Sequence, residues 1–304
     1  MYLINRFWEE TKDKGFLSAI SLTHRYLRKK YTSLSRSIKL NKLRIVNDSK
    51  IVKEINKSKM ELDISKDSNQ TLEKDLALNG VREPGSTRKF EQVLEELKSR
   101  HKHINVLDIG ANVGYFALLE AHILGNSGTI YAIEAERENI KHLKRNVELN
   151  DYSNIKIIHK AVGEENTKTN LSISQASNTH KISKIDTENS NEQSVEMITI
   201  DKLITEHNIS KDIPLVIRMD IEGYENYAFE GMKDLLNSKQ PIYIMIEIHD
   251  RSHNPIKTVL NTLKRNRFCP EYVSYDGGKT IEDLNDFEIN VSSNIHIMAS
   301  KSFS

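Results

Sequence analysis

The sequence holds a single cysteine, Cys269, among 304 residues. One thiol excludes an internal disulfide framework and makes a reducing compartment the default expectation. Proline and glycine are scarce, at 5 and 12 residues, which excludes collagen-like and low-complexity classes. No apolar run approaches the roughly 18 to 20 residues needed to cross a bilayer, and no apolar signal core opens the chain. These absences predict a soluble, intracellular protein, cytoplasmic in location. What is present suffices for a sizeable core, with 38% hydrophobic and 29% charged residues.

The net charge of +1 hides an uneven distribution. Residues 1–60 carry 15 Lys or Arg against 5 acids, and the remainder carries 29 against 38. A +10 arm therefore precedes a −9 body, a polarity that suits either docking of the arm on its own body or an anionic partner. From Phe7 to Tyr31 the arm reads as an amphipathic helix, with Phe7, Trp8, Phe16, Leu17, Ile20, Tyr26 and Leu27 at roughly helical spacing among basic residues. Such a helix suits an anionic membrane surface. It reads equally well as one packing on its own body or on a second copy of the chain in a homodimer. Residues 32–75 are polar and read as a linker with short helical pieces.

Beyond the linker the pattern changes. Phe90, Val93, Leu94 and Leu97 mark the core face of a helix that Ser86 or Thr87 is placed to cap. Short apolar runs then alternate with helical stretches: 105–109, 129–133, 155–158, 215–219 and 242–248. Tyr272-Val273 and Ile295 to Ala299 read as a closing antiparallel pair. Strands alternating with helices predict a doubly wound α/β fold around a parallel sheet. A polar segment from Ser174 to Ser194 interrupts the pattern, flanked by a β-excursion, and reads either as a mobile lid or as a disordered stretch.

The strongest local signal is Val106-Leu107-Asp108-Ile109-Gly110-Ala111-Asn112-Val113-Gly114-Tyr115-Phe116, a strand, a tight turn and a helix start. Gly110 permits the turn, and Gly114 permits close contact of helix and sheet. The run departs from G-x-G-x-x-G, because Asn112 replaces the glycine that lets a pyrophosphate approach the backbone. S-adenosylmethionine has no phosphate and tolerates a side chain there, with Asp108 facing its amino-acid end. Glu134 ends the next strand 24 residues after Gly110, where a carboxylate accepts both ribose hydroxyls in nucleotide-binding folds. Ala161 and Val162 follow the third strand, where a flat base would lie.

Leu107 to Tyr115, Lys160-Ala161-Val162-Gly163, Ile200-Asp201-Lys202-Leu203 and Met219-Asp220-Ile221-Glu222-Gly223-Tyr224-Glu225 together resemble the FkbM-type methyltransferases, in matching order. Gly80-Val81-Arg82-Glu83-Pro84 is similar to that family's lead-in, and the resemblance spans about residues 72 to 250. It implies an S-adenosylmethionine-dependent methyltransferase, typically acting on oxygen in sugars or secondary metabolites. It also implies a Rossmann-like, mostly parallel seven-stranded sheet with an antiparallel last strand. The domain is expected over 76–304, behind a basic helical extension and linker over 1–75. With the reading above, the expected donor site comprises Glu83, Asp108, Gly110, Ala111, Asn112, Gly114, Tyr115, Glu134, Ala135, Ala161, Val162 and Asp220. Asp220 and Glu222 are implied to be in the active site.

Methyl transfer is an in-line displacement that needs alignment, exclusion of water and, for a hydroxyl acceptor, removal of a proton. Asp220, Glu222 and Glu225 follow the fourth strand, at the carboxyl edge where open α/β sheets bind ligands. Asp220 is placed to hold the donor's ammonium group or to lie near the methyl. Glu222 points towards substrate or a neighbouring helix, though one of these acids can equally cap the helix starting near Tyr224. Alternation puts Glu247 and His249 on one side of the chain as the fifth strand ends. His249 is the first candidate for general base, and Glu247 the second. His249, Asp250 and His253 raise a metal reading, but they read equally as a polar loop, and no metal is expected.

The acceptor is expected to be a hydroxyl or carboxyl of a small molecule, saccharide or lipid-linked glycan, with the arm near an anionic membrane. Four other readings are weaker. A nucleic-acid methyltransferase would need a basic face, whereas the body is acidic and repels phosphates. A protein methyltransferase stands beside it, and the intact Asp108, Glu134 and Asp220 argue against a non-catalytic donor-binding module. A nicotinamide oxidoreductase lacks its phosphate loop.

Overall fold

A computed structural model describes residues 33–41, 50–65, 71–172, 181–183, 192–249, 256–275 and 294–301. The helix expected from Phe7 to Tyr31 lies outside them, as do Asp250 and His253. Seven strands form one sheet in the order β12-β13-β11-β10-β3-β4-β5. They are β3 (Ile104–Ile109), β4 (Gly128–Glu134), β5 (Ile155–His159), β10 (Leu215–Met219), β11 (Ile242–Ile248), β12 (Cys269–Tyr275) and β13 (Ile295–Lys301). Every pair from β11 across to β5 is parallel, and β13 alone runs against its neighbours. This is the doubly wound sheet expected, with its antiparallel last strand.

The apolar runs are continuous because both faces are covered. Along β3, Leu107 and Ile109 enter one core with Ile217, Ile244, Leu203 and Phe229. Val106 enters the other with Phe90, Leu94, Phe116 and Leu143. From β3 the chain winds outwards through β4 and β5, then returns to β10 on the opposite side. The order reverses between β3 and β10, so a crevice opens at their carboxyl ends.

The helix Pro84–Arg100 buries Phe90, Val93, Leu94 and Leu97, as its spacing predicts. Its cap differs from expectation. Ser86 and Thr87 lie buried in the first turn, Glu83 holds the N-cap position with a left-handed φ of 44°, and the Thr87 hydroxyl donates to Arg82 O at 2.7 Å. Pro84 fits the first turn, where its missing N–H costs nothing.

The reading of 32–75 as linker is corrected. A helix covers 33–41, strands β1 (Lys50–Ile55) and β2 (Ser58–Asp63) form an antiparallel hairpin, and a helix runs Thr71–Asn79. Ile55, Met60, Leu62, Ile64, Leu72 and Leu76 join the same core as Phe90 and Leu143. The division expected at residue 75 falls inside the helix Thr71–Asn79.

The β-excursion forms a second sheet, β6-β9-β7-β8, from β6 (Ala161–Val162), β7 (Thr167–Ser172), β8 (Lys181–Ser183) and β9 (Glu192–Ile198). Residues 173–180 and 184–191, most of the expected lid, lie outside the described residues. Among the described residues, no helix is long and apolar enough to cross a membrane.

Candidate active site

The crevice at the carboxyl ends of β3 and β10 is a cleft with about 690 Å³ of atom-free space. Arg82, Gly110, Asn112, Glu134, Ala135, Ala161, Val162, Asp220 and Glu222 line it, together with Ile109, Ile133, Asn139, Lys160, Leu171 and Ile221.

At one end lies the turn after β3. Gly110, Asn112 and Gly114 all take left-handed backbone, with φ of 81°, 52° and 98°. A Cβ on Gly110 would stand 2.0 Å from Asp220 O, so the loops after β3 and β10 touch there. Gly114 is corrected from its expected role. A Cβ there would meet Leu143, on the helix Arg137–Glu148, rather than the sheet. The amides of the turn are all used internally. Gly110 N and Ala111 N donate to Ile133 O at 2.9 and 3.0 Å, and Gly114 N donates to Ala111 O at 2.9 Å. Asn112 N donates to Glu134 Oε2 at 2.8 Å, and Val113 N to Asn112 Oδ1 at 2.9 Å. No amide of this turn remains to cradle a phosphate. Glu134 Oε1 also accepts from Glu136 N at 2.7 Å. Burial pushes the Glu134 carboxyl up to about 7, against the pull of those two amides.

This lining fits S-adenosylmethionine. A fixed carboxylate suits a ribose diol, the apolar wall of Ile133, Ala135, Ala161, Val162 and Leu171 suits a flat base, and the far end carries acids suited to an ammonium group. It does not fit a dinucleotide, whose pyrophosphate would find no free backbone amide in the turn.

Several expected donor residues stand behind the cleft instead. Asp108 is fully buried beneath the turn, with Oδ1 3.4 Å from Arg218 Nη1, and does not reach the lining. Burial raises its pKa to about 6, partly offset by Arg218. Ala111 and Tyr115 are buried, and the Tyr115 hydroxyl accepts from Arg82 N at 3.2 Å. Glu83 accepts from Arg82 Nε at 2.6 Å at the cleft's edge.

At the other end, side chains from the ends of β10 and β11 converge. Asp220 Oδ2 accepts from Arg218 Nη2 at 2.9 Å and from Arg82 Nη2 at 3.0 Å. His249 Nε2 lies 3.3 Å from Glu222 Oε2, 3.5 Å from Glu247 Oε1 and 4.0 Å from Asp220 Oδ1. Its Nδ1 lies 3.1 Å from Glu225 Oε1. Glu222 and Gly223 are consecutive left-handed residues, with φ of 56° and 102°. A glutamate in that region is strained, a feature that clusters at functional sites.

The charges shape one another. Burial works to raise Asp220, yet Arg218 and Arg82 outweigh it and hold the carboxyl below its usual range. Burial raises Glu222 to about 7, and it raises Glu247 as well. Burial alone would lower His249, but its bond to Glu225 and the surrounding carboxylates lift it to about 9. The first-choice general base therefore keeps its proton at neutral pH, which counts against that role in this arrangement.

The sequence reading missed Arg82, Arg218 and His296. Arg218 had a visible signal: it is the one charged residue in the fully buried strand Leu215–Met219, and a buried charge is rare unless paired. Its guanidinium donates to Gly110 O at 2.9 Å and stacks 4.4 Å over the Phe116 ring. His296, from β13, reaches Glu83 and Glu247 at 3.6 and 3.9 Å.

The sequence matches the methyltransferase FkbM domain over residues 108–269, and protein-L-isoaspartate(D-aspartate) O-methyltransferase over residues 39–168. No curated protein matches it. Solved structures similar to the chain include precorrin-6y C5,15-methyltransferase from Geobacter metallireducens, at 12% identity over 70% of this chain and 88% of that one, with a TM-score of 0.37. M. jannaschii TYW2 in complex with AdoMet is similar at 12% identity over 83% and 85%, with a TM-score of 0.36. Aeropyrum pernix fibrillarin bound to S-adenosyl-L-methionine follows at 13% over 71% and 76%, with a TM-score of 0.37. The FkbM match covers more than half of the 304 residues and contains the turn, Glu134 and the acids after β10: the chain belongs to the FkbM-domain methyltransferases, which are S-adenosylmethionine-dependent.

Proposed function

We propose that the chain methylates an alcohol oxygen on a neutral saccharide or lipid-linked glycan. The observation that carries this reading is Glu222, a carboxylate in strained backbone that lines the cleft beside Asp220. S-adenosylmethionine supplies a methyl group already activated on sulfonium. What remains for the chain is to align, to exclude water and to receive a proton. Glu134 holds the ribose, with Ala135, Ala161 and Val162 against the base. Asp220, fixed by two arginines, lies near the reacting methyl. Glu222 takes the acceptor's hydroxyl proton as the oxygen–carbon bond forms and the sulfur–carbon bond breaks, leaving S-adenosylhomocysteine. Arg82 and Arg218 at this end of the cleft are already committed to Glu83, Asp108 and Asp220, which leaves them little capacity to recruit a phosphate or carboxylate acceptor. The glycan class rests on the family resemblance. The basic arm, residues 1–45, would hold the enzyme at an anionic membrane. Deletion of residues 1–45 should abolish partition onto anionic vesicles, and unchanged partition would remove that part.

The test supplies methyl-labelled donor with neutral saccharides, uronic acids, RNA and peptides in parallel. Label is expected in the neutral saccharide, stable to mild alkali as an ether, and lost in Glu222→Gln. Alkali-labile label would mean a carboxyl acceptor, and label in RNA or peptide would overturn the substrate class.

A further inference from the structure

We propose that Asp220, Glu222 and His249 form a binding site for a divalent cation of the Mg2+ or Mn2+ class. One ligand atom from each lies within 4.8 Å of the others. Asp220 and Glu222 follow β10, and His249 follows the adjacent parallel strand β11, so the sheet itself sets their spacing. A six-coordinate ion with bonds of about 2.1 Å holds its ligand atoms roughly 3 to 4.2 Å apart. His249 Nε2 lies 3.3 Å from Glu222 Oε2 and 4.0 Å from Asp220 Oδ1, inside that range.

A separate observation points to a ligand. The Asp220 side chain is only 8% exposed, and its Oδ2 already serves both arginines. Its Oδ1 has no hydrogen-bond partner among the described residues, yet it faces His249 Nε2 at 4.0 Å. A buried carboxylate oxygen without a partner carries a desolvation cost, and a cation in this position would remove it. The ring is also set for ligation. Glu225, with its side chain fully buried, pairs with Nδ1 at 3.1 Å and turns Nε2 towards the carboxylates. Carboxylate–histidine–metal arrangements use the same second partner to fix the ring. The two carboxylates are hard donors suited to Mg2+ or Mn2+, and the imidazole is a borderline third, a set that does not suit a thiophilic ion. Glu247 Oε1, 3.5 Å from Nε2, adds negative charge beside them.

What the ion does there rests on the alcohol-methylation reading. An alcohol oxygen bound to it loses its proton more readily, and Glu222, through Oε1, receives that proton. Without a cation, the imidazole meets the same need by carrying a proton itself.

The full-length protein, stripped with a chelator, is titrated with Mn2+ and the free ion is followed by its paramagnetic resonance signal. Saturable binding is expected, competed by Mg2+ and weakened by roughly tenfold or more in His249→Gln and Glu222→Gln. Each variant is checked for cooperative unfolding. Independently of any variant, Mn2+ should raise the unfolding midpoint of the wild-type chain. His296→Gln, which breaks the neighbouring set Glu83, Glu247 and His296, should bind as the wild type does. Absence of saturable binding to the wild type, or loss only in His296→Gln, would overturn the assignment. S-adenosylhomocysteine titrated into the stripped protein reports the donor site by itself. If it binds where Mn2+ does not, the cation is refuted and the alcohol-methylation reading stands.

Discussion

The two ends of the cleft are built by opposite means. At the Glu134 end, five consecutive residues of one turn spend their amides on one another and on β4, and the carboxylate is locked by two of the surrounding N–H groups. At the Asp220 end the groups come from three strands and the lead-in to a helix. Guanidinium and carboxylate crowd together, and Asp220 Oδ1 and Glu247 Oε2 have no hydrogen-bond partner among the described residues, with Arg82 Nη2 3.6 Å from Glu247 Oε2. On the proposed reading, the first end is preorganised for the invariant donor, and the second, with electrostatic capacity still unspent, receives the acceptor and its proton. Arg218 joins them, since it pairs with Asp108 beneath the turn and with Asp220 beyond it.

The largest expected effect comes from cutting that joint. Arg218→Met keeps most of the volume but leaves Asp108 buried without its guanidinium, and leaves Asp220 with Arg82 as its one remaining guanidinium partner among the described residues. Removing one partner of a buried ion pair costs about 3–5 kcal/mol, and chemical denaturation should register a loss of that order. A loss under about 1 kcal/mol would mean that the two ends are not held together in this way.

A smaller loss is expected from the brace behind the turn. Asn146, fully buried, accepts from Glu61 N at 2.7 Å and donates to Val113 O at 2.9 Å, linking the β1–β2 hairpin to the turn. Asn146→Ala strands the buried Val113 O, at about 1–3 kcal/mol, while Glu61 N, on a half-buried residue, turns to water at less cost. The same unfolding measurement should detect it, together with weaker binding of S-adenosylhomocysteine. Unfolding without that second effect would confine the brace to stability.

These two residues also mark how far the sequence could be read. The donor end was legible because its turn is contiguous and its glycines meet backbone demands visible in one dimension. The acceptor end was legible only as candidates. Asp220, Glu222, Glu247 and His249 were named, but which groups face each other depends on the register of β10 against β11. The charges that reset His249 come from residues far apart in sequence. Arg218 was overlooked although its strand is otherwise apolar. The hairpin was missed for a local reason: Met60, Leu62 and Ile64 alternate as a half-buried strand should, but its turn is Asn56-Lys57, both left-handed, without the glycine that usually announces one.

Next in size is the carboxylate itself. Glu134→Gln keeps the shape but removes the charge, and hydrogen bonds to charged groups contribute about 1.5–3 kcal/mol. Calorimetric titration with S-adenosylhomocysteine should therefore show a loss of roughly tenfold to a hundredfold. An unchanged affinity would break the comparison at its root, because the preorganised end would not be the end that holds the donor.

The smallest effect is a pH dependence, and its two halves have opposite signs. Burial raises Glu134 from 4.5 to about 7, the amides of Glu136 and Asn112 and the Asn139 side chain pull it back, and the Glu136 charge adds a lesser push upwards. A carboxyl whose folded pKa is raised holds its proton more tightly in the native state. Its contribution to stability is complete below the unfolded value and is lost as pH climbs from 4.5 to about 7. Donor binding runs the other way, since ribose hydroxyls donate better to the ionised carboxylate. Affinity for S-adenosylhomocysteine should therefore rise by up to about tenfold between about pH 6 and 8 as the ionised fraction grows. In Glu134→Gln both slopes should flatten together. If the wild-type affinity is flat while its stability still falls, the carboxylate titrates without touching the donor, and the ribose must be held by another group lining the cleft.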